Sequence, residues 1–231
     1  MKIGIIAAME QEVKELVKQL EQKEETTIAN QTFYNGVIHG QEITLVQSGI
    51  GKVNASIATT LLIQTFNVDA VINTGSAGGI GKDLRVGDLV VSTELSYNDA
   101  DARVFGYTFG QIPQMPAVFS ADPSLNDQVI AAASETSWNV SSGIIVTGDS
   151  FIAGKDQTDK IKEFFPEALV TEMEGAAVAQ TCYQFNTPFT VVRALSDTSD
   201  EEASVSFDEF IELAGKQSAD LVLRFINNIQ Q

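Results

Sequence analysis

Cysteine and histidine each occur once in these 231 residues, and that scarcity removes several kinds of chemistry. A lone cysteine, Cys182, permits no internal disulfide. It lies in an Ala-rich apolar stretch, which suits a small core residue better than a nucleophile. His39 sits in Ile-His-Gly-Gln, which reads as a hairpin turn, so a Ser-His-Asp or Cys-His site would have to be built on a turn residue. One Cys and one His also supply too few ligands for a zinc site of the usual kind. Positive charge is scarce as well: 14 Lys and Arg stand against 31 Asp and Glu, for a formal net charge of −17. A surface this acidic repels nucleic acid and anionic lipid and disfavours both as partners. It says nothing against a small neutral ligand, and solubility is its simplest account. Long apolar runs are missing too, and no stretch approaches the length of a transmembrane helix. Lys2 with Ile3–Met9 starts as a secretion signal would, but Glu10 and Glu12 end the run early. The expectation is a cytoplasmic protein.

What is present suffices for a sizeable core. Hydrophobic residues make up 44% of the chain and charged residues 19%, which argues against disorder. The length fits one domain, residues 1–231, with no internal repeat, low-complexity tract or linker. Strand and helix patterns alternate. Lys2–Ala8 reads as a buried strand, and Val13, Leu16, Val17 and Leu20 form one helical face. Thr32–Ile38 and Glu42–Gln47 flank Gly40 as a hairpin. Then come a helix over Lys52–Phe66, a strand over Asp69–Asn73, a glycine-rich turn over Thr74–Gly79 and a strand over Asp88–Leu95. Asp99–Phe119 reads as a long structured loop, and Pro123–Trp138 as a helix. Gly143–Thr147, Ala168–Glu172 and Phe189–Leu195 are strands, with helices near Gln157–Phe165 and Glu174–Phe185. Asp200–Glu202 reads as an acidic loop, and a Ser-x-x-Glu capping box at Ser206–Glu209 opens the last helix. The pattern implies an α/β fold: three layers, with a mixed, mostly parallel central sheet flanked by helices.

In such sheets ligands bind beyond the carboxyl ends of the strands. Six polar or glycine-rich motifs fall there: Met9–Glu12, Ser48–Gly51, Thr74–Gly79, Thr147–Ser150, Glu172–Glu174 and Ser196-Asp197. Their convergence suggests a single site. Each has a plainer reading. Thr74–Gly79 matches neither the P-loop, since Ser76 stands where its first glycine belongs, nor G-x-G-x-x-G. It is either a tight turn or a place where small residues such as Ala77 and Gly78 let a ligand approach the backbone. Glu12 is either an acid complementing a helix dipole or a site residue. Glu172 and Glu174 are either first-turn acids or, in an extended backbone, neighbours on one side, one of them accepting two sugar hydroxyls. Asp197 is either a turn residue or a partly buried acid that donates a proton near neutral pH. Asp99 and Asp101 resemble a metal pair but fit a polar loop better. Phe105, Tyr107, Phe151 and Phe207 would ordinarily be packing residues, although Phe105 and Phe151 lie outside the helices and strands, where a ligand contact is open to them.

Taken in order and spacing, these stretches resemble the bacterial 5′-methylthioadenosine/S-adenosylhomocysteine nucleosidase family, within the nucleoside phosphorylase-like fold. They are Ile3–Glu10 with Glu12, Ser48–Val53, Asn73–Gly79, Asp99–Asp101 with Phe105–Tyr107, Gly148–Ile152, Glu172–Glu174, Arg193–Asp197 and Ser206–Phe210, and the likeness covers essentially the whole chain. The resemblance implies a hydrolase that releases adenine. Asp197 would be the general acid at N7, oriented by Ser196. Glu12 would activate the attacking water, held with help from Ser76 and Arg193. Glu174 would bind the ribose hydroxyls, with Met173 against the sugar. Phe151 would stack on adenine, and the backbone of Ile152 would read the base edge. Met9, Ile50 and Phe207 would line the pocket for the thio substituent. The resemblance also implies a homodimer in which the partner's Ala102–Pro113 loop closes that pocket through Phe105 and Pro113, and it implies no metal or organic cofactor. Ala102 replaces larger aliphatics seen in relatives, which bears on the preference between the two thio substrates. The chemistry is consistent: cleaving an N-glycoside builds positive charge on the sugar and negative charge on the base, and an acid at the base with a carboxylate at the water meets both. The rivals are a phosphorylase of the same fold, a relative acting on aminodeoxyfutalosine, and a nucleoside-binding module without turnover. Against the phosphorylase, no Lys or Arg falls in Met9–Glu12 or Thr74–Gly79, which leaves Arg193 as the one cation in its favour.

Overall fold

Residues 3–7, Ile-Gly-Ile-Ile-Ala, are all buried and form strand β1 (Ile3–Ala7). A continuous apolar strand suits a place covered on both faces. β1 takes such a place, paired in parallel with β4 (Gln41–Gln47) and β5 (Ala70–Gly79). The computed structural model describes residues 1–134, 136–199 and 203–229, with 203–206 described by backbone alone. Around β1 one sheet of ten strands forms. On one side β4 continues into the antiparallel strands β3 (Gln31–Ile38) and β2 (Glu21–Ile28). On the other lie β6 (Leu89–Tyr97), the short β7 (Phe119–Ser120), β8 (Val140–Thr147), β9 (Ala168–Glu172) and β10 (Phe189–Asp197). The sheet is mixed, with parallel and antiparallel pairings in equal number. It also closes on itself: β10 pairs with both β5 and β6, β6 with β8, β8 with β9, and β9 with β5. Every residue of β10 is buried, as a strand inside such a ring requires.

Helices cover both faces. α1 (Glu10–Gln19), α3 (Pro123–Ser134) and α6 (Ala203–Asn228) pack on one side through Val13, Leu16, Val129, Leu221 and Phe225. α2 (Lys52–Gln64) and α5 (Gly175–Phe185) pack on the other through Ala55, Ala58, Leu62, Val178 and Cys182. α4 (Lys155–Phe164) sets Ile161 against Val146 and Ile152 in a smaller cluster. Full burial of each large aliphatic side chain contributes roughly 1.5–3 kcal/mol. Cys182 is a buried free thiol in this core, and His39 is exposed at the β3–β4 turn, where His39 and Gly40 both have positive φ.

Several boundaries differ from the sequence expectation. Thr74–Gly79 is not a turn: it continues β5, pairing with β10 through Gly78 and with β9 at Gly78 and Gly79. Likewise, Ser196 and Asp197 still belong to β10 instead of following it. β2 was not foreseen, because Glu-Gln-Lys-Glu-Glu-Thr-Thr-Ile has no apolar alternation. It is an exposed edge strand whose charges discourage pairing with another chain. α3 stops at Ser134, short of Trp138, and the Thr136 hydroxyl bonds the Ala133 carbonyl and receives the Trp138 N–H, a local turn that competes with helix. The last helix begins at Ala203, so Ser206 lies within it and does not open it. The Ser206 side chain and Asp200–Glu202 fall outside the described residues.

Candidate active site

The six motifs do meet. β1, β4, β5, β8, β9 and β10 end around one cavity of 430 Å³. Its wall includes Met9 and Glu12 after β1, Ile50 after β4, and Ser76, Ala77 and Gly78 in β5. Ser150, Phe151 and Ile152 follow β8; Met173 and Glu174 follow Glu172 at the end of β9; Ser196 and Asp197 close β10. Phe207 of α6 completes it, edge-on to Phe151 with ring centroids 5.6 Å apart. Ala8, Thr171, Ser199 and Asp208 also line the cavity and were not singled out as contacts; Glu172, the other acid of the Glu172–Glu174 pair, lines it too. Ala8 and Thr171 carried no sequence signal, being ordinary strand-end residues.

Glu12 is 2% exposed, in the first turn of α1. One carboxylate oxygen accepts the N–H groups of Ala8 at 2.9 Å and Met9 at 3.1 Å. The other accepts the Ser76 N–H and hydroxyl, each at 3.0 Å. Glu12 thus caps its own helix and also reaches across to β5 at the cavity. Gly75 explains the contact. A Cβ there would stand 2.9 Å from Glu12 Oε1 and 2.7 Å from Arg193 Nη1. At Gly78 a Cβ would stand 2.8 Å from Asp197 Oδ1. The small residues of Thr74–Gly79 therefore admit the chain's own charged groups to the backbone.

Asp197 is 1% exposed. Its Oδ2 accepts the Ser196 hydroxyl at 3.0 Å and its Oδ1 the Ser199 N–H at 2.8 Å. Glu172 and Glu174 bracket the junction of β9 and α5, with Glu174 as the N-cap of α5. Both turn toward Arg193, which forms an ion pair with Glu172 and lies 3.6 Å from Glu174. Arg193 also donates to Asn73 Oδ1 at 2.6 Å and is not among the cavity-lining residues. Burial opposes the charge on Arg193, but Glu172, Glu174 and Glu12 together hold its pKa above the usual value. Glu174 is pushed up to about 8, by burial first and by Glu172 next, against the pull of Arg193 and the Gly51 N–H bonded to it at 2.8 Å.

The loop carrying Phe151 is tied down by charge. Asp149 accepts the Lys52 N–H at 2.9 Å, while Asp99 accepts the Asp149 N–H at 2.9 Å and pairs with Lys52 at 2.7 Å. Asp101 pairs with Arg103, which holds its carboxyl down at about 2, so Asp99 and Asp101 serve separate ion pairs. Phe105 and Pro113 do not line this cavity. Phe105 is 78% exposed at the end of a short 3₁₀ turn over Arg103–Phe105, and Pro113 is exposed nearby.

The sequence and the fold agree with known proteins. A family model described as the phosphorylase superfamily matches residues 2–227. A 5′-methylthioadenosine/S-adenosylhomocysteine nucleosidase of Staphylococcus saprophyticus is 51% identical, the match covering 98% of this chain and all of that one. The protein of the same description from Halalkalibacterium halodurans is 51% identical over 99% of each chain. The Streptococcus pneumoniae nucleosidase, solved with the transition-state inhibitor MT-ImmA, superposes with a TM-score of 0.96 at 44% identity, covering 99% of this chain and 100% of that one. The Neisseria meningitidis nucleosidase with methylthio-immucillin-A gives 0.97 at 43% identity, covering 98% and 99%. The chain belongs to the phosphorylase superfamily and, within it, to the family of 5′-methylthioadenosine/S-adenosylhomocysteine nucleosidases.

Proposed function

We propose that the chain hydrolyses the N-glycosidic bond of 5′-methylthioadenosine and S-adenosylhomocysteine, and also of 5′-deoxyadenosine, releasing adenine and the 5′-substituted ribose. This activity would serve methionine salvage and the activated methyl cycle. The observation that carries the reading is that one cavity is lined by two buried acids with distinct supports, Glu12 and Asp197. Asp197, oriented by Ser196, protonates N7 as the bond stretches. Glu12, which already accepts the Ser76 hydroxyl, takes a proton from the attacking water, and Ser76 and Arg193 help hold that water. Each proton transfer is worth about 10²–10⁴-fold in rate. Glu174 accepts the ribose hydroxyls beside Met173. Phe151 stacks on the base and the Ile152 backbone reads its edge, with Ala77 and Gly78 giving close access. Met9, Ile50 and Phe207 receive the thio substituent.

The same proposal includes a homodimer in which the partner's Ala102–Pro113 loop brings Phe105 and Pro113 to this cavity. It is supported by the exposure of Val104 and Phe105 in that loop and of Val53 and Ile57 on α2. It also includes a cytoplasmic location, for which a reduced, buried Cys182 is suited. No helix among the described residues is long and apolar enough to cross a membrane.

Adenine release from methylthioadenosine, in buffer with and without phosphate, tests the reading. Release without phosphate, giving free methylthioribose, is expected. Release only with phosphate would make the chain a phosphorylase. No release in either buffer would reassign it to another 5′-substituted adenine nucleoside, such as aminodeoxyfutalosine, or to a binding module.

A further inference from the structure

Glu172 is a buried acid that this scheme leaves without a role. It lines the cavity, yet its carboxylate is fully engaged by the protein. Oε2 accepts the N–H groups of Glu174 at 3.0 Å and Gly175 at 2.8 Å, and also an Arg193 N–H. Oε1 accepts the Thr147 hydroxyl, whose oxygen in turn accepts the Ala176 N–H at 2.8 Å. Four donors fill the acceptor sites of a carboxylate. Glu172 and Thr147 thus satisfy three successive N–H groups where α5 begins, and the Glu172 charge lies at the positive end of that helix. Its other partner, Arg193, stands only 3.6 Å from Glu174.

We propose that Glu172 is a positioning residue: by holding Arg193 and the first turn of α5, it keeps the Glu174 carboxylate at the cavity and out of direct hydrogen-bonding distance of the guanidinium, 3.6 Å away. The inference rests on the reading of Glu174 as the ribose ligand. The charged groups that face Glu174 are Glu172 of β9, Arg193 of β10 and Glu12 of α1, with the Gly51 N–H from the segment before α2. Removing the Glu172 charge acts twice. It lifts a repulsion that keeps Glu174 protonated, and it frees Arg193 to bond Glu174 directly. Both lower the Glu174 pKa, and the second draws its carboxylate off the ligand.

The test is calorimetric binding, between pH 6 and 9.5, of two probes to the full chain: an uncleavable C-nucleoside analogue of methylthioadenosine, and adenine alone. In the wild type, nucleoside affinity should rise as pH passes about 8, where Glu174 ionises. In Glu172→Gln that midpoint should fall by about one unit or more. Nucleoside affinity at pH 8.5 should drop about tenfold or more, with adenine affinity unchanged at each pH. Glu172→Asp keeps the charge and should keep the midpoint while weakening the nucleoside. If thermal melting shows that the Gln variant does not fold, the Asp variant carries the test through its selective loss of nucleoside affinity. Nucleoside affinity and midpoint equal to wild type, or equal weakening of both probes, would overturn the assignment. Failure of the wild type to cleave methylthioadenosine would instead remove the functional reading.

Discussion

Substituting Gly75 by alanine probes why this strand is rich in glycine. Gly75 does not have a positive φ, so a methyl group meets no backbone strain and its whole effect is steric. The new Cβ would lie 2.7 Å from Arg193 Nη1, 2.9 Å from Glu12 Oε1 and 3.1 Å from Glu12 Cδ. None of these can step aside cheaply: Glu12 is held by four hydrogen bonds and Arg193 by Asn73 and Glu172. Overpacking of a core costs about 1–3 kcal/mol, and losing a hydrogen bond to a charged group costs about 1.5–3 kcal/mol. The expected loss in urea unfolding is about 2–3 kcal/mol, since one contact yields in place of the other. Displacing Glu12 by about 1 Å should cost kcat/KM about 10²-fold. Gly154→Ala serves as the comparison, because its methyl would meet nothing nearer than Gln157 Oε1 at 3.9 Å. Adenine release by Gly75→Ala within threefold of wild type would refute the argument that the glycine exists to seat these two side chains.

Asp197→Asn should keep the wild-type melting temperature within a few degrees and lose at least about 10²-fold in kcat on methylthioadenosine; near-wild-type turnover would remove Asp197 from the acid role. Glu174 carries a pKa pushed up to about 8 against 4.5 for the ordinary group, so the folded chain binds more protons than the unfolded one between those values. Its contribution to stability therefore falls as pH rises from about 4.5 to 8, by on the order of a few kcal/mol. Glu174→Gln should gain on wild type in melting temperature over that window, and a constant difference would refute the assignment. Burial pushes the Cys182 thiol well up, so a thiol reagent at pH 8 should label it only once the chain unfolds; rapid labelling of native protein would contradict its place in the core. Phe105→Ala should raise KM for methylthioadenosine several-fold with little change in kcat, and mixing with inactive Asp197→Asn chains should shift that KM if the loop acts on its partner; an unchanged KM would detach the loop from the site.

Much of the site was legible because the polar residues of a strand-and-helix chain gather at strand ends. The motifs holding Glu12, Ser76, Glu174, Ser196 and Asp197 were found by that rule, and all five residues line one cavity, while the choice of Glu174 over Glu172 came from the family resemblance. The same rule misread Thr74–Gly79. Clustered glycines usually mark a turn, and nothing local reveals that Glu12, 64 residues before Ser76, and Arg193 must fit against that backbone. β2 escaped because an edge strand exposed on both faces needs no apolar alternation. Its existence depends on pairing with β3, which is a property of two segments. The role of Glu172 was hidden for a related reason: its four donors come from β8, β10 and the junction before α5, which only the fold assembles.

Membership of a superfamily named for phosphorolysis leaves the nucleophile to be decided by the site, and its electrostatics decide for water. Capture of a phosphate dianion needs cationic donors or free helix N–H groups. Among the described residues lining the cavity there is no Lys, Arg or His, but there are Glu12, Glu172, Glu174, Asp197 and Asp208. Arg193, the nearest cation, does not line the cavity, and its Nη2 bonds Glu172 and Asn73. The N–H groups of Ala8 and Met9, just before α1, and of Ser76 are already taken by Glu12, and those opening α5 by Glu172 and Thr147. At an effective dielectric near 20, one ionised carboxylate about 4 Å from a unit negative charge repels it by roughly 4 kcal/mol. A neutral hydrogen bond returns only about 0.5–1.5 kcal/mol. A neutral water meets none of that repulsion, and the carboxylate that would exclude phosphate is the group that can take a proton from it. In the proposed mechanism, the Glu12 carboxylate that repels an anion is also the group that activates the water.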